Sequence, residues 1–157
     1  MMTTYSKYID PYINKILNNE IEHCKEQELM INNIIIPTLE RKDVYIDEKR
    51  IEDGLSLQKY FPYKLIEWEV FLFALIIGVF FDNGDIVFND IRIIVGRGSG
   101  KNGFISYLSF YFLSPLHGIR GYNIDLLANS EDQAKTTFKD VYEIVKEPVK
   151  KIIYREN

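Results

Sequence analysis

At 157 residues the chain is long enough for one domain with its own core, and 46% hydrophobic with 14% aromatic content excludes a disordered, solvent-swollen polymer. A net charge of -4 and a pI near 5.3 exclude an overall electrostatic attraction to nucleic acid, leaving only a local basic patch to supply one. Cys24 is the only cysteine, which excludes an internal disulfide and a cysteine-based metal site and suits a reducing compartment.

The N-terminus, MMTTYSKYIDPYINK, is polar and lacks the apolar segment of a secretory signal. Asp10-Pro11 reads as an N-cap followed by proline at the first helical position, where its missing N–H costs nothing. Ile13, Ile16, Leu17, Ile21 and Cys24 then recur at a helical period, predicting a helix to about Met30. Pro37 is expected to stop anything beyond the triplet Ile34-Ile35-Ile36. Residues 40–53 are rich in charge and read as a surface segment, with a short helix over 47–59.

Residues 64–81 predict the most apolar helix. Its core, VFLFALIIGVFF over 70–81, falls short of the roughly 20 residues a membrane span needs, so a buried helix is expected and no membrane. Asn83-Gly84 reads as a turn and 85–88 as a short strand. DIRIIV, residues 90–95, predicts a strand whose last three residues are apolar enough to be buried on both faces. The glycine loop 96–100 follows at once, then a helix over 101–113 with Pro115 beyond it. YNIDLLA, residues 122–128, predicts a second strand. Ser130 caps a last helix, with Glu131 and Asp132 at its positive end and Ala134, Phe138, Val141, Ile144 and Val145 on one face. Pro148 is expected to end or kink it. From residue 90 the order is strand, loop, helix, strand, helix, which predicts an α/β fold with a parallel sheet flanked by helices. With two core strands only, the expectation is an incomplete domain.

The loop IIVGRGSGKN carries the clearest chemistry. Successive backbone N–H groups ahead of a helix bind phosphate oxygens, glycines let the backbone approach, and a lysine at the helix start adds a cation. Gly96, Gly98 and Gly100 supply the first property and Lys101 the second. Asn102 departs from the usual Ser or Thr, whose hydroxyl binds Mg²⁺; it offers a weaker amide oxygen to the metal. Three alternating glycines before a lysine favour a phosphate loop over a plain turn.

The joint order of features resembles the N-terminal ATPase region of tailed-phage terminase large subunits, the motors that package DNA. GRGSGK at 96–101 is similar to that family's shortened phosphate loop, including Arg97. LIEWEV at 65–70 stands where the family has an aromatic-polar pair opening an apolar helix. LLANSEDQAKTTF at 126–138 resembles its strand followed by an acidic-Gln-Ala helix start, and DPYINKILNNEIEHCKEQELMI resembles its N-terminal helix. The resemblance implies a P-loop NTPase-type fold, with an N-terminal helical segment over 1–60 and the first part of the ATPase domain over 61–157.

It further implies ATP and Mg²⁺ as cofactors. Lys101 would hold the β- and γ-phosphates, with Gly96, Gly98, Ser99, Gly100 and Asn102 lining them. Arg97 would stabilise the transferring phosphoryl group; the alternative is a strand-end arginine paired with a carboxylate. Trp68 and Glu69 would lie near the adenine, although an ionised Glu69 only accepts hydrogen bonds where the family's glutamine also donates, and a helix-start carboxylate is its other reading. Implied partners are double-stranded DNA, a portal and the small terminase subunit, with a ring of copies in the bacterial host cytoplasm. The acidic pair a hydrolysing motor needs after a later strand, and the family's C-terminal nuclease, are both missing from this sequence. The competing reading is therefore a non-catalytic interaction remnant of an interrupted terminase gene. His23 and His117 read as surface or structural residues, and Lys146, Lys150, Lys151 and Arg155 as a solvated helix face.

Overall fold

A computed structural model describes residues 4–153 of the chain, except the side chains of Gln133 and of residues 147–153. Two compact units divide it: one holds the chain up to Leu55 together with Leu65–Arg92, the other Ser56–Lys64 and the chain from Ile93 on.

In the first unit α1 spans Asp10–Leu17, with Pro11 in its first turn and Ile9 in the capping position. Asp10 lies inside the helix, where its carboxylate accepts from the Tyr5 N–H at 2.8 Å. Tyr12, Ile13 and Ile16 are buried, and the ring of Tyr12 lies 4.7 Å from that of Phe71. The expected run to Met30 breaks after Leu17, because Asn19 takes the left-handed conformation (φ 56) that asparagine tolerates. A new helix, α2 (Lys25–Met30), starts after Cys24, whose backbone N–H donates to the Gln27 side chain at 2.9 Å.

α2 continues through a π-helical turn at Ile31–Ile35 into α3 (Ile36–Leu39), past the proline expected to stop it. The wider turn is the physical reason. Ile36 N–H bonds to Ile31 O, five residues back, and Pro37 then falls in the first turn of α3, where no N–H is required of it.

α4 (Glu48–Leu55) is capped by Asp47, whose carboxylate accepts from Arg50 N–H at 2.9 Å. α5 (Glu67–Gly78) is apolar all round and buries Phe71 and residues 73–78, as a core helix should. Burying each of its large side chains stabilises the unit by about 1.5–3 kcal/mol. α4 and α5 pack closely through two glycines. A Cβ on Gly54 would stand 2.8 Å from Ile77 Cδ1, and one on Gly78 would stand 2.4 Å from Ile51 Cγ1. The last residues of the expected helix leave it to form β2 (Val79–Phe81), antiparallel to β1 (Val44–Ile46), with Val44 opposite Phe81. Beyond the Asn83-Gly84 turn the expected strand at 85–88 is reduced to a single bridge, Ile86 to Phe80.

The α/β expectation is overturned. The chain is 56% helical, and its sheet is the two-stranded antiparallel pair β1–β2; no parallel P-loop sheet flanked by helices forms among the described residues. Residues 90–95 and 122–128 remain without a ladder partner. Neither is buried on both faces: Ile94 is 94% and Leu127 96% exposed, while Ile93 and Leu126 are half-buried. Apolar composition makes such segments extended, but only paired N–H and C=O groups make them strands.

The second unit is built on α6 (Lys101–Leu113) and α7 (Glu131–Ile153), packed together. Phe104, Tyr107 and Tyr111 are fully buried along α6. Phe61 meets Tyr107 at 4.8 Å and Phe110 at 5.5 Å between ring centres, so the segment 56–64 seats one side of the helix. α7 starts at the expected Glu131 and runs past Pro148. Its buried stripe is rotated from the expected face: Thr137 and Val141 are buried with Ala134 half-buried, while Phe138 is exposed. No helix among the described residues is long and apolar enough to cross a membrane.

The Gly78 contact yields a stability test. Gly78→Ala forces a methyl group onto Ile51 in a packed core and should cost about 1–3 kcal/mol, read as a lower urea midpoint at unchanged slope. An unchanged midpoint would show that α4 and α5 do not pack this closely.

Candidate functional site

Residues 96–102 form the wall of a pocket of about 780 Å³ in the second unit, completed by Val95, Ile105, residues 126–128, Ala134 and Thr137. The loop's shape comes from two glycines. Gly98 (φ 84) and Gly100 (φ 87) are left-handed, while Ser99 between them has a negative φ. An L side chain at either glycine position would strain the backbone by about 1–2 kcal/mol. Alternation of this kind turns successive N–H groups into one concavity, the geometry of an anion-binding nest. Ser99 Oγ donates to Gly96 O at 2.7 Å and closes the loop on itself.

Gly100 is also the N-cap of α6, a helix of 13 residues, and its carbonyl accepts from Phe104 N–H at 3.1 Å. The positive end of the helix therefore faces the same concavity. Lys101 and Arg97 are exposed on the pocket wall, and neither forms an ion pair among the described residues. The carboxylate partner considered for Arg97 is not found there. Asn102 is exposed beside them.

Two hydrogen bonds hold the first turns of α6 behind the loop. Tyr63 Oη donates to Gly103 O at 2.9 Å, with its ring 3.3 Å from where a Cβ on Gly103 would stand. Ser106, fully buried, places its hydroxyl 2.9 Å from both Asn102 O and the Asp140 carboxylate on α7. It has one proton to donate between two acceptors. The loop helix is thus tied to both of its neighbours in the unit.

Trp68 and Glu69 belong to the first unit, on the opening turn of α5. Trp68 is half-buried. Glu69 is buried, and one of its carboxylate oxygens accepts from Ile66 N–H at 2.9 Å, satisfying a free donor at the helix start. Burial pushes its carboxyl above the ordinary range, and the Ile66 bond only partly offsets this. The side chain thus has a structural task, in line with the helix-start reading.

The remaining candidates divide simply. His23 Nδ1 contacts Ile21 O at 2.9 Å. His117 is buried in an aromatic cluster with Phe112 and Tyr122, 4.9 and 4.6 Å away between ring centres. Lys146 pairs with Glu143 at 3.5 Å, whereas the side chains of Lys150 and Lys151, and Arg155 altogether, lie outside the described residues. No group of three or more potential metal ligands occurs among the described residues. Of the pocket residues outside the predicted loop, Thr137 is the one with a polar side chain. Its signal was the spacing Ala134, Thr137, Val141, a helical stripe with a hydroxyl in the middle. Against known protein families, curated proteins and solved structures, the chain finds no match.

Glu69 gives a pH test with a definite sign. A carboxyl raised in the folded state favours folding at low pH, and that advantage is lost as pH rises from the ordinary glutamate value of 4.5 through the folded value. Glu69→Gln keeps an acceptor for Ile66 N–H and removes the charge. Its stability relative to the wild type should therefore increase as pH rises through that window, measured by urea unfolding at several pH values. A difference that does not vary with pH would contradict the burial of an ionisable group there.

Proposed function

We propose that residues 96–102 bind the phosphate groups of a nucleoside triphosphate, with ATP as the leading candidate. One observation carries this reading: two cations without ion-pair partners among the described residues, Arg97 and Lys101, flank left-handed glycines at the head of α6 and line one pocket. Backbone N–H groups and a helix N-terminus bind phosphate without regard to the sheet behind them. The reading therefore stands without the fold first expected. Lys101 would hold the outer phosphates and Arg97 the terminal one. Mg²⁺ would arrive with the nucleotide, and Asn102 would offer it only a neutral amide oxygen.

The resemblance to the N-terminal region of terminase large subunits supplies the wider proposal. In it, this chain is the nucleotide-grasping part of a DNA-packaging motor whose partners are double-stranded DNA, portal and small terminase subunit. That rests on the motifs GRGSGK, LIEWEV and LLANSEDQA. The described pocket lining contains donors and cations but no carboxylate to activate water. Binding without appreciable turnover is accordingly the behaviour proposed for the chain itself.

Isothermal titration with ATP·Mg²⁺ tests the phosphate site. Lys101→Ala removes a charge-assisted contact and should weaken binding by about tenfold or more. Affinity should also fall as salt is raised. Equal affinities for wild type and variant would remove the basis for the proposal, and robust hydrolysis abolished by the same substitution would refute the claim of binding without turnover.

A further inference from the structure

The apolar face expected of α7 divides into two stripes, and the fold of the unit uses one of them. On the inward stripe Thr137 and Val141 are buried, with Ala134 and Ile144 half-buried. The outward stripe leaves Phe138 63% and Tyr142 53% exposed, and Val145 is exposed as well. The rings of Phe138 and Tyr142 stack with their centres 6.2 Å apart, so this stripe opens as one continuous apolar surface. In the sequence the series continues through Val149 and Ile152, in steps that alternate four and three residues, and Pro148 falls outside it. A mean step of about 3.5 residues is the heptad period, by which one helix keeps a narrow seam against another. Packing on α6 requires only the inward stripe, whereas contiguous exposed apolar side chains mark an interaction site.

The charges beside the seam indicate which partner fits. With Tyr142 and Val145 as the two seam positions of a heptad, Lys139 and Lys146 share the position that follows the seam, one heptad apart. Asp132 holds the same position in the first turn, before the apolar series begins. Lys139 makes no ion pair among the described residues, and Lys146 reaches Glu143 at 3.5 Å with its ammonium 5.6 Å from the centre of the Tyr142 ring. The opposite flank carries Ala134 and Val141, which belong to the inward stripe. A second α7 laid antiparallel would bring Lys139 beside the other copy's Lys146, setting like charges together, and a parallel one would offer these lysines no acid. A lipid surface fits poorly too, because an interfacial helix needs a broad apolar face and the chain carries a net charge of -4. We propose that the outward stripe of α7 docks an amphipathic helix of a partner protein, apolar along its own seam and acidic along the flank that meets Lys139 and Lys146. None of these side chains lines the loop pocket, so the inference is independent of the phosphate reading.

The test uses the whole chain and two labelled synthetic peptides of three heptads, read by fluorescence anisotropy. Both peptides carry isoleucine and leucine at the seam positions; one has glutamate on both flanks, the other lysine. The chain should bind the acidic peptide about tenfold or more tightly than the basic one, and less tightly as salt is raised. Phe138→Gln should weaken the acidic peptide about tenfold while leaving the melting temperature unchanged, because the side chain it replaces is exposed. The double variant Lys139→Glu, Lys146→Glu should reverse the preference and take the basic peptide, a change that loss of structure cannot produce. Equal binding of the two peptides, or no binding of either, would overturn the inference, as would an unchanged preference in the double variant. Sedimentation of the chain alone and flotation with phosphatidylserine-containing vesicles complete the test. Self-association or vesicle binding that Phe138→Gln abolishes, with no preference between the peptides, would assign the stripe to a second copy or to lipid and refute the helix partner.

Discussion

The arrangement depends on how firmly the N-terminus of α6 is held, because a helix end can only offer ordered N–H groups to an anion if it does not fray. Two sets of contacts fix it. On one side Phe61 and Tyr63 pack on the helix, with Tyr63 Oη on the Gly103 carbonyl and Tyr107 buried beneath Phe61. Burial of the Tyr107 phenol drives its pKa upward, and a bond to the Gln58 backbone only partly offsets the cost. On the other side Ser106 hangs between the Asn102 carbonyl and Asp140 of α7. The exposed loop has no such support, and its shape rests on Gly98, Gly100 and the Ser99–Gly96 hydrogen bond. A helix held on two sides thus carries a loop shaped by its own glycines and serine.

Much of the helical structure was legible because it depends on local chemistry. Proline at the start of α1, Asp47 ahead of α4, the all-apolar face of α5 and the acidic start of α7 each act within a few residues. The failures are of a different kind. Pro37 does not stop its helix, since a π-helical turn supplies a hydrogen-bond register that periodicity cannot display. The parallel sheet was inferred from apolar runs at 90–95 and 122–128, but a strand is a relation between two segments. No sequence pattern in either run states whether a partner is present to complete the ladder, and Ile94 and Leu127 stand exposed accordingly.

The candidate site shows the same division. The glycine-lysine loop was readable because each residue type has its own mechanical role: positive φ from glycine, charge from lysine and arginine. Glu69 was ambiguous in sequence, and its burial with a bond to Ile66 N–H gives it work inside its own unit. Thr137 was missed because the apolar pattern of α7 drew attention to Phe138, one position along. The helix turns Phe138 outward to stack on Tyr142 and presents the threonine to the pocket. Which of two adjacent residues faces inward is decided by packing against α6, not by hydrophobicity alone.

The central claim is that a phosphate-bearing ligand sits on the loop at the head of α6. Residue-resolved amide NMR during titration with ATP addresses it directly, because each N–H reports its own hydrogen bond. The account predicts the largest shifts at the amides of residues 98–104. Shifts confined to other parts of the chain, or none with ATP in large excess, would contradict it.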